Sequence, residues 1–81
     1  MARVTLMPPF AGEFFGGSGE VEVAAGNVFR LIDALDKLGP GFGANAHDRA
    51  AFGVDGTVRA DWSMPLEPGA QVTVFPRIAG G

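Results

Sequence analysis

Asn27-Val28-Phe29-Arg30-Leu31-Ile32-Asp33-Ala34-Leu35-Asp36-Lys37-Leu38-Gly39-Pro40 is the stretch that decides how the rest of the chain folds. Val28, Leu31, Ile32, Leu35 and Leu38 recur three and four residues apart, which places them on one face of a helix. Asn27 is suited to the N-cap, because its side-chain oxygen can accept an orphan backbone N–H of the first turn. Gly39 predicts a left-handed cap at the far end, and Pro40 cannot continue the helix. Asp33, Asp36 and Lys37 fall on or near the opposite face and read as solvated surface.

Upstream of this helix the periodicity changes to two. Ala2 to Met7 alternates, with Val4 and Leu6 on one side and Arg3, Thr5 and Met7 on the other, which predicts a strand. Pro8 and Pro9 stop it, since proline donates nothing to a ladder. Residues 8–19 read as a turn region holding Gly12, Gly16, Gly17 and Gly19. Its Phe10, Phe14 and Phe15 either cap one end of the core or form an exposed binding edge. Glu20-Val21-Glu22-Val23 alternates again, with Val21 and Val23 inward, and makes an antiparallel hairpin with the first strand.

Downstream, residues 39–50 read as irregular, and His47 is expected there as an exposed side chain without catalytic partners. Ala51 to Val54 predicts a strand, Asp55-Gly56 a tight turn, and Thr57 to Asp61 a short returning strand. Pro65-Leu66-Glu67-Pro68-Gly69 is turn chemistry, with Leu66 dipping into the core. Gln71-Val72-Thr73-Val74-Phe75 alternates and Pro76 ends it, so Val72 and Val74 point inward while Thr73 and Phe75 point outward. Phe52 and Trp62 are expected in the core or at its edge, and Glu13 and Asp61 carry no assigned role.

The order strand, strand, helix, strand, short strand, strand is an α+β pattern in which one main helix covers one face of a mixed sheet. The helix follows a hairpin and crosses over, which predicts at least one parallel pair. A mixed sheet gripping a single helix is a β-grasp arrangement, the architecture of ubiquitin-like domains. The expected division is a β-grasp domain over residues 1–76 and a flexible C-terminal tail over residues 77–81.

Composition agrees with a small folded domain and excludes several kinds of chemistry. The chain has 81 residues, 47% of them apolar and 19% charged, and glycine and proline make up almost a quarter. Leu, Ile, Val and Phe exceed a quarter of the chain, which is too much for a disordered segment. There is no cysteine, so disulfides, iron–sulfur clusters, thiolate zinc sites and a cysteine nucleophile are all excluded. The net charge of −3 comes without a basic stripe and argues against binding nucleic acid through its phosphates. No stretch approaches the roughly 20 apolar residues of a membrane span, and no signal-peptide pattern opens the chain. A cytoplasmic location is the expectation.

A search for enzymatic equipment finds no phosphate loop, dinucleotide fingerprint, paired-histidine spacing or nucleophile elbow. Gly16-Gly17-Ser18-Gly19 lacks the lysine and the following helix that phosphate binding needs. The distinctive chemistry is at the end, in Arg77-Ile78-Ala79-Gly80-Gly81. Two glycines make the narrowest backbone available, able to enter a tight cleft. The α-carboxyl of Gly81, with a reference pKa of about 3.3–3.7, is ionised at neutral pH and is a poor electrophile. To react it must be activated, and ATP-dependent adenylation is the standard route. Small residues are also common at disordered or processed termini, so the tail alone does not establish a role.

With its context the tail is recognisable. Val54-Asp55-Gly56, Pro65-Leu66-Glu67-Pro68-Gly69-Ala70-Gln71-Val72 and Phe75-Pro76-Arg77-Ile78-Ala79-Gly80-Gly81, together with Asn27 to Leu35, resemble the MoaD/ThiS family of ubiquitin-like sulfur carrier proteins. The resemblance covers most of the chain and is weakest across residues 39–51. It implies that an adenylating enzyme of the MoeB/ThiF kind activates the terminal glycine. Sulfur from a persulfide donor then displaces AMP and leaves a thiocarboxylate. The partner would be a MoaE-like molybdopterin synthase large subunit, with the dithiolene of the molybdenum cofactor as product, or a ThiG-like thiazole synthase. Related carriers serve cysteine synthesis or tRNA thiolation. The molybdopterin branch is favoured by length and by the Pro-Arg-Ile-Ala-Gly-Gly ending. No bound cofactor is implied: acyl-adenylate and thiocarboxylate are transient states of Gly81, ATP is used by the partner, and the carrier is no catalyst alone. A protein modifier joined to lysines through Gly81 has the same tail, and a plain interaction module with an incidental tail is the third class.

Under the resemblance Gly81 carries the acyl group, Gly80 keeps the approach slim and Ala79 is the next smallest residue. Ile78 and Arg77 bind rather than thread. Two placements of Phe75 fit the pattern, an exposed docking anchor beside the tail or a ring tucked under the 8–19 loop. Arg77 either meets an acidic rim or a nucleotide phosphate, or is a solvated charge.

Overall fold

Asn27 does cap the central helix. In the computed structural model, which describes residues 1–77, its side-chain oxygen accepts the Arg30 N–H at 2.8 Å and its backbone is extended. The elements in chain order are β1 (Ala2–Leu6), α1 (Phe10–Phe14), β2 (Glu20–Val23), α2 (Val28–Leu38), α3 (Phe42–Arg49), β3 (Ala50–Val54), β4 (Thr57–Val58) and β5 (Gln71–Pro76). The sheet runs in the order β2-β1-β5-β3-β4. It is mixed: β1 and β5 are parallel, with Arg3 opposite Gln71 and Leu6 opposite Val74, and every other pair is antiparallel. The parallel pair expected from the helix crossover therefore joins the first strand to the last, at the centre of the sheet.

Alternation sets which face is covered. Ala2, Val4 and Leu6 of β1, Val23 of β2, Phe52 and Val54 of β3, and Val72 and Val74 of β5 are buried. They meet Val28, Leu31, Ile32 and Leu35 of α2 in one cluster, with Leu66 closing one side as its turn predicts. Leu38, expected on the same helix face, is 56% exposed. At about 100° per residue it stands roughly 70° from the centre of the apolar stripe. It borders instead an open groove shared with Met1, Val23 and Ala34.

Two segments differ from their sequence reading. Residues 8–19 contain the short helix α1, and residues 39–50 are not irregular but hold α3. The residue before α3 is Gly41, which has no side chain to cap with. The cap comes from α2, where Asp36 Oδ1 accepts the N–H groups of Gly43 at 2.8 Å and Gly41 at 3.2 Å. Asp36 is thus a structural residue rather than solvated surface. Phe42, the first residue of α3, is fully buried and receives the rings of Phe10, Phe14 and Phe15 edge-on at centroid distances of 5.5–5.9 Å. The three phenylalanines cap one end of the core.

Gly39 ends α2 through its N–H to the Leu35 carbonyl at 2.8 Å, yet its φ of −127° is not left-handed. The left-handed residue is Gly41, at φ 100°. What Gly39 supplies is room: a Cβ there would overlap the Phe14 carbonyl and stand 2.9 Å from Phe15 Cε1. Gly39→Ala should therefore lower stability by about 1–3 kcal/mol, the usual cost of overpacking, when urea unfolding is followed by circular dichroism.

At the other end of the chain β5 continues through Pro76, one residue further than the alternation predicts, and Pro76 lies opposite Ala50. The Arg77 N–H donates to the Arg49 carbonyl at 2.7 Å. That bond makes Pro76 and Ala50 a non-hydrogen-bonded pair, where β3 asks for no proline donor. The returning strand β4 is shorter than its sequence reading and stops at Val58, after a turn in which Asp55 (φ 48°) and Gly56 (φ 88°) both take positive φ.

Candidate functional site

The residues singled out for function are six of the last seven: Phe75, Arg77, Ile78, Ala79, Gly80 and Gly81. Ile78, Ala79, Gly80 and Gly81 lie outside the described residues, so the site that can be built is the root of the tail and the sheet face beside it.

Strand alternation puts Phe75 on the face away from α2. Its ring lies over Gly53 of β3, where an added Cβ would meet Phe75 Cε1 at 3.6 Å. Phe75 is half-buried there, and the rings packed under the 8–19 segment belong to Phe14, Phe15 and Phe42. Of the two placements, the ring is on the open face. The register gathers its surroundings. Ala51 lies opposite Phe75, Gly53 opposite Thr73 and Val58 opposite Gly53, while Thr5 stands beside Thr73. Val58 is 64% exposed, and Met7, which follows the inward Leu6, is 44% exposed. The centre of this face is therefore small or apolar and uncharged. Its charges are on the β1–β2 side, where Arg3 pairs with Glu22 at 3.4 Å, both well exposed.

Arg77 closes the site. Besides its main-chain bond to Arg49, its guanidinium donates to the Ala50 carbonyl at 3.4 Å. The group read from sequence as reaching outward makes an internal contact. Arg49 is itself held from several directions. Its guanidinium pairs with both carboxylate oxygens of Glu13, donates to Asn45 Oδ1 at 3.3 Å and lies 5.6 Å from the centroid of the Phe10 ring. The hydrogen bond that Arg49 donates to Glu13, helped by the carboxylate's charge, raises the Arg49 pKa above its ordinary value. Glu13 and Arg49 stand 36 positions apart, and no local spacing signal links them. Asp61 also gains a role: its carboxylate accepts from the Ser63 hydroxyl at 2.6 Å and the Ser63 N–H at 2.9 Å, and these bonds hold its pKa below the ordinary carboxylate value.

The remaining candidates are structural. Phe52 is buried, and Trp62 packs edge-on against it at 5.2 Å and against Phe29 at 5.7 Å. His47 is on the surface of α3, with its ring 5.4 Å from that of Trp62. Among the described residues no group of three histidine or acidic side chains is placed to hold a metal. No helix among them is long and apolar enough to cross a membrane.

A chain of the Amycolatopsis orientalis BexX/CysO complex superimposes with a TM-score of 0.84 at 20% identity, covering all of both chains. The fold is a β-grasp. SAMP1 from Haloferax volcanii matches this β-grasp chain at a TM-score of 0.74 and 21% identity over 99% of this chain and 98% of that one. A putative molybdopterin converting factor, subunit 1, from Pyrococcus furiosus matches at 0.67 and 21% identity, over 95% and 97%. At these identities the likeness establishes the architecture. No protein-family model and no curated protein sequence matches the chain.

Proposed function

We propose that this β-grasp protein is a sulfur carrier whose terminal glycine, Gly81, is adenylated and converted to a thiocarboxylate, with molybdopterin formation as the receiving pathway. The observation that carries the reading is the position of Gly80-Gly81 in the sequence, separated from the end of β5 by three residues, in a fold shared with a putative molybdopterin converting factor subunit. The chemistry asks little of the carrier. The Gly81 carboxylate attacks the α-phosphate of ATP in the partner's site and pyrophosphate leaves. Sulfur from a persulfide then displaces AMP, and a thiol reductant frees the thiocarboxylate. Nucleotide binding and catalysis belong to a MoeB- or ThiF-like partner, and delivery to a MoaE-like subunit. The carrier supplies a narrow tail and the uncharged face around Phe75, where an aromatic side chain serves as the docking anchor.

A second reading keeps the carrier chemistry and changes the acceptor to thiamine thiazole, cysteine or tRNA, or keeps the activation and joins Gly81 to lysines as a modifier. The fold shared with the BexX/CysO chain and with SAMP1 supports this second reading.

Intact mass spectrometry tests the common step. Incubation with the adenylating enzyme of the same organism, ATP and a persulfide donor should raise the mass by one sulfur-for-oxygen exchange. An unchanged mass with an enzyme active on another carrier overturns the proposal. Loss of the added sulfur, with return of the carboxylate, on incubation with a molybdopterin synthase large subunit and the pterin precursor that accepts the sulfur assigns the branch, whereas conjugates of higher mass in extracts assign the modifier.

A further inference from the structure

The Glu13–Arg49 pair sits where α1, α3, β3 and the end of β5 converge, and the last internal hydrogen bond of β5 is made to Arg49 itself. We propose that Glu13 and Arg49 are positioning residues that hold the root of the tail at Arg77. This rests on the carrier reading above and goes on to say what sets the arm's length and starting point.

The argument follows from the contacts. The Arg77 N–H donates to the Arg49 carbonyl at 2.7 Å, and the Arg77 guanidinium reaches the neighbouring Ala50 carbonyl at 3.4 Å. Both acceptors are at the junction of α3 and β3, where Ala46 and Ala50 are buried and the Ala50 N–H donates to the Ala46 carbonyl. The α3 sequence carries Gly43 and Asn45, poor helix formers, and its last turn is held at Arg49. The Arg49 side chain reaches across to α1, where a bidentate Glu13 and the face of Phe10 receive it. A planar guanidinium suits both contacts, and a lysine ammonium would lose the fork. The pair thus ties the 8–19 segment to the carbonyl that ends β5.

The consequence is a fixed reach. Gly81 is four positions beyond Arg77, a span of at most about 14 Å when fully extended. A root held at Arg77 presents the carboxylate within that radius of the Phe75 face, so docking of the face and entry of the tail are set in register. A loosened root lets the arm start earlier and sample more directions before docking. The loss should fall on the assembly of the complex, not on the chemical step.

Amide hydrogen exchange and adenylation kinetics on the full chain test this with Glu13→Gln, Arg49→Ala and Arg49→Lys. The Arg77 N–H should exchange about two- to tenfold faster in the first two variants, the range expected for losing an exposed ion pair with or without its aromatic contact. The Val74 amide should be unchanged, which reports that the core is intact. In ATP–pyrophosphate exchange with the adenylating enzyme, KM should rise by a similar factor at constant kcat, and Arg49→Lys should fail to restore it fully. Unchanged Arg77 exchange overturns the inference, as does faster exchange with unchanged KM. If the wild-type chain is not adenylated, the functional reading fails, and the exchange comparison alone decides whether the pair anchors the root.

Discussion

Adding one alanine after Gly81 should reduce adenylation by more than about 100-fold, the scale on which small misplacements of a reacting group cost rate. The reactive carboxylate would move by about 3.5 Å along an extended chain. Its former place would be taken by an amide, which is a worse nucleophile toward a phosphate and bulkier in the cleft. The fold should not notice. The core is built from residues between Ala2 and Val74, and a surface change away from packing and caps shifts stability by less than about 0.5 kcal/mol. ATP–pyrophosphate exchange and urea unfolding on the same sample separate the two effects. An extended protein that is adenylated at the wild-type rate would show that the position of the carboxylate after the two glycines does not matter to the reaction.

The second large effect is on stability. Phe42→Ala should destabilise the domain by about 3–5 kcal/mol, as truncating a buried aromatic does. Phe42 is fully buried and is the common partner of Phe10, Phe14 and Phe15. Its loss opens a cavity under α1 and removes the first residue of α3 from the core at once. In a chain of 81 residues each kcal/mol corresponds to about 4–8 °C, so the melting temperature should fall by at least about 12 °C. Calorimetry on Phe42→Ala and Phe42→Leu would check it, and the leucine, which refills part of the space, should recover a good part of the loss. A drop of only a degree or two in the alanine variant would show that the four rings are not the closure of the core.

The elements that were legible in the sequence carry their own signals within a few residues. Helix α2 has its stripe and its Asn27 cap in one stretch, and β1, β2 and β5 have clean alternation, which also placed Phe75 on the outer face. Helix α3 was hidden because its cap is supplied by Asp36 across a turn, and because Gly41, Gly43 and Asn45 are weak helix formers. Leu38 misled because a residue at the margin of an apolar stripe is buried only if something extends over it. The left-handed cap expected at Gly39 failed because this glycine answers to the neighbouring Phe14 carbonyl and not to its own φ. The reading of Gly80-Gly81 falls outside the described residues, and the contacts at the root of the tail had no signal in the sequence. Glu13, Arg49 and Arg77 come from three separate segments, and only the completed sheet brings them together.

The parallel pairing of β1 with β5 has a practical side. Both strands start at the same end of the sheet, so Met1 lies by Gly69, whose N–H donates to the Met1 carbonyl at 3.1 Å, and Arg77 leaves from the opposite end. A fluorophore, purification handle or solid support attached at the amino terminus is thereby kept a full strand's length from the end of β5 at Pro76. The molecule can be tethered by its front without burdening the edge of the sheet from which Arg77 departs.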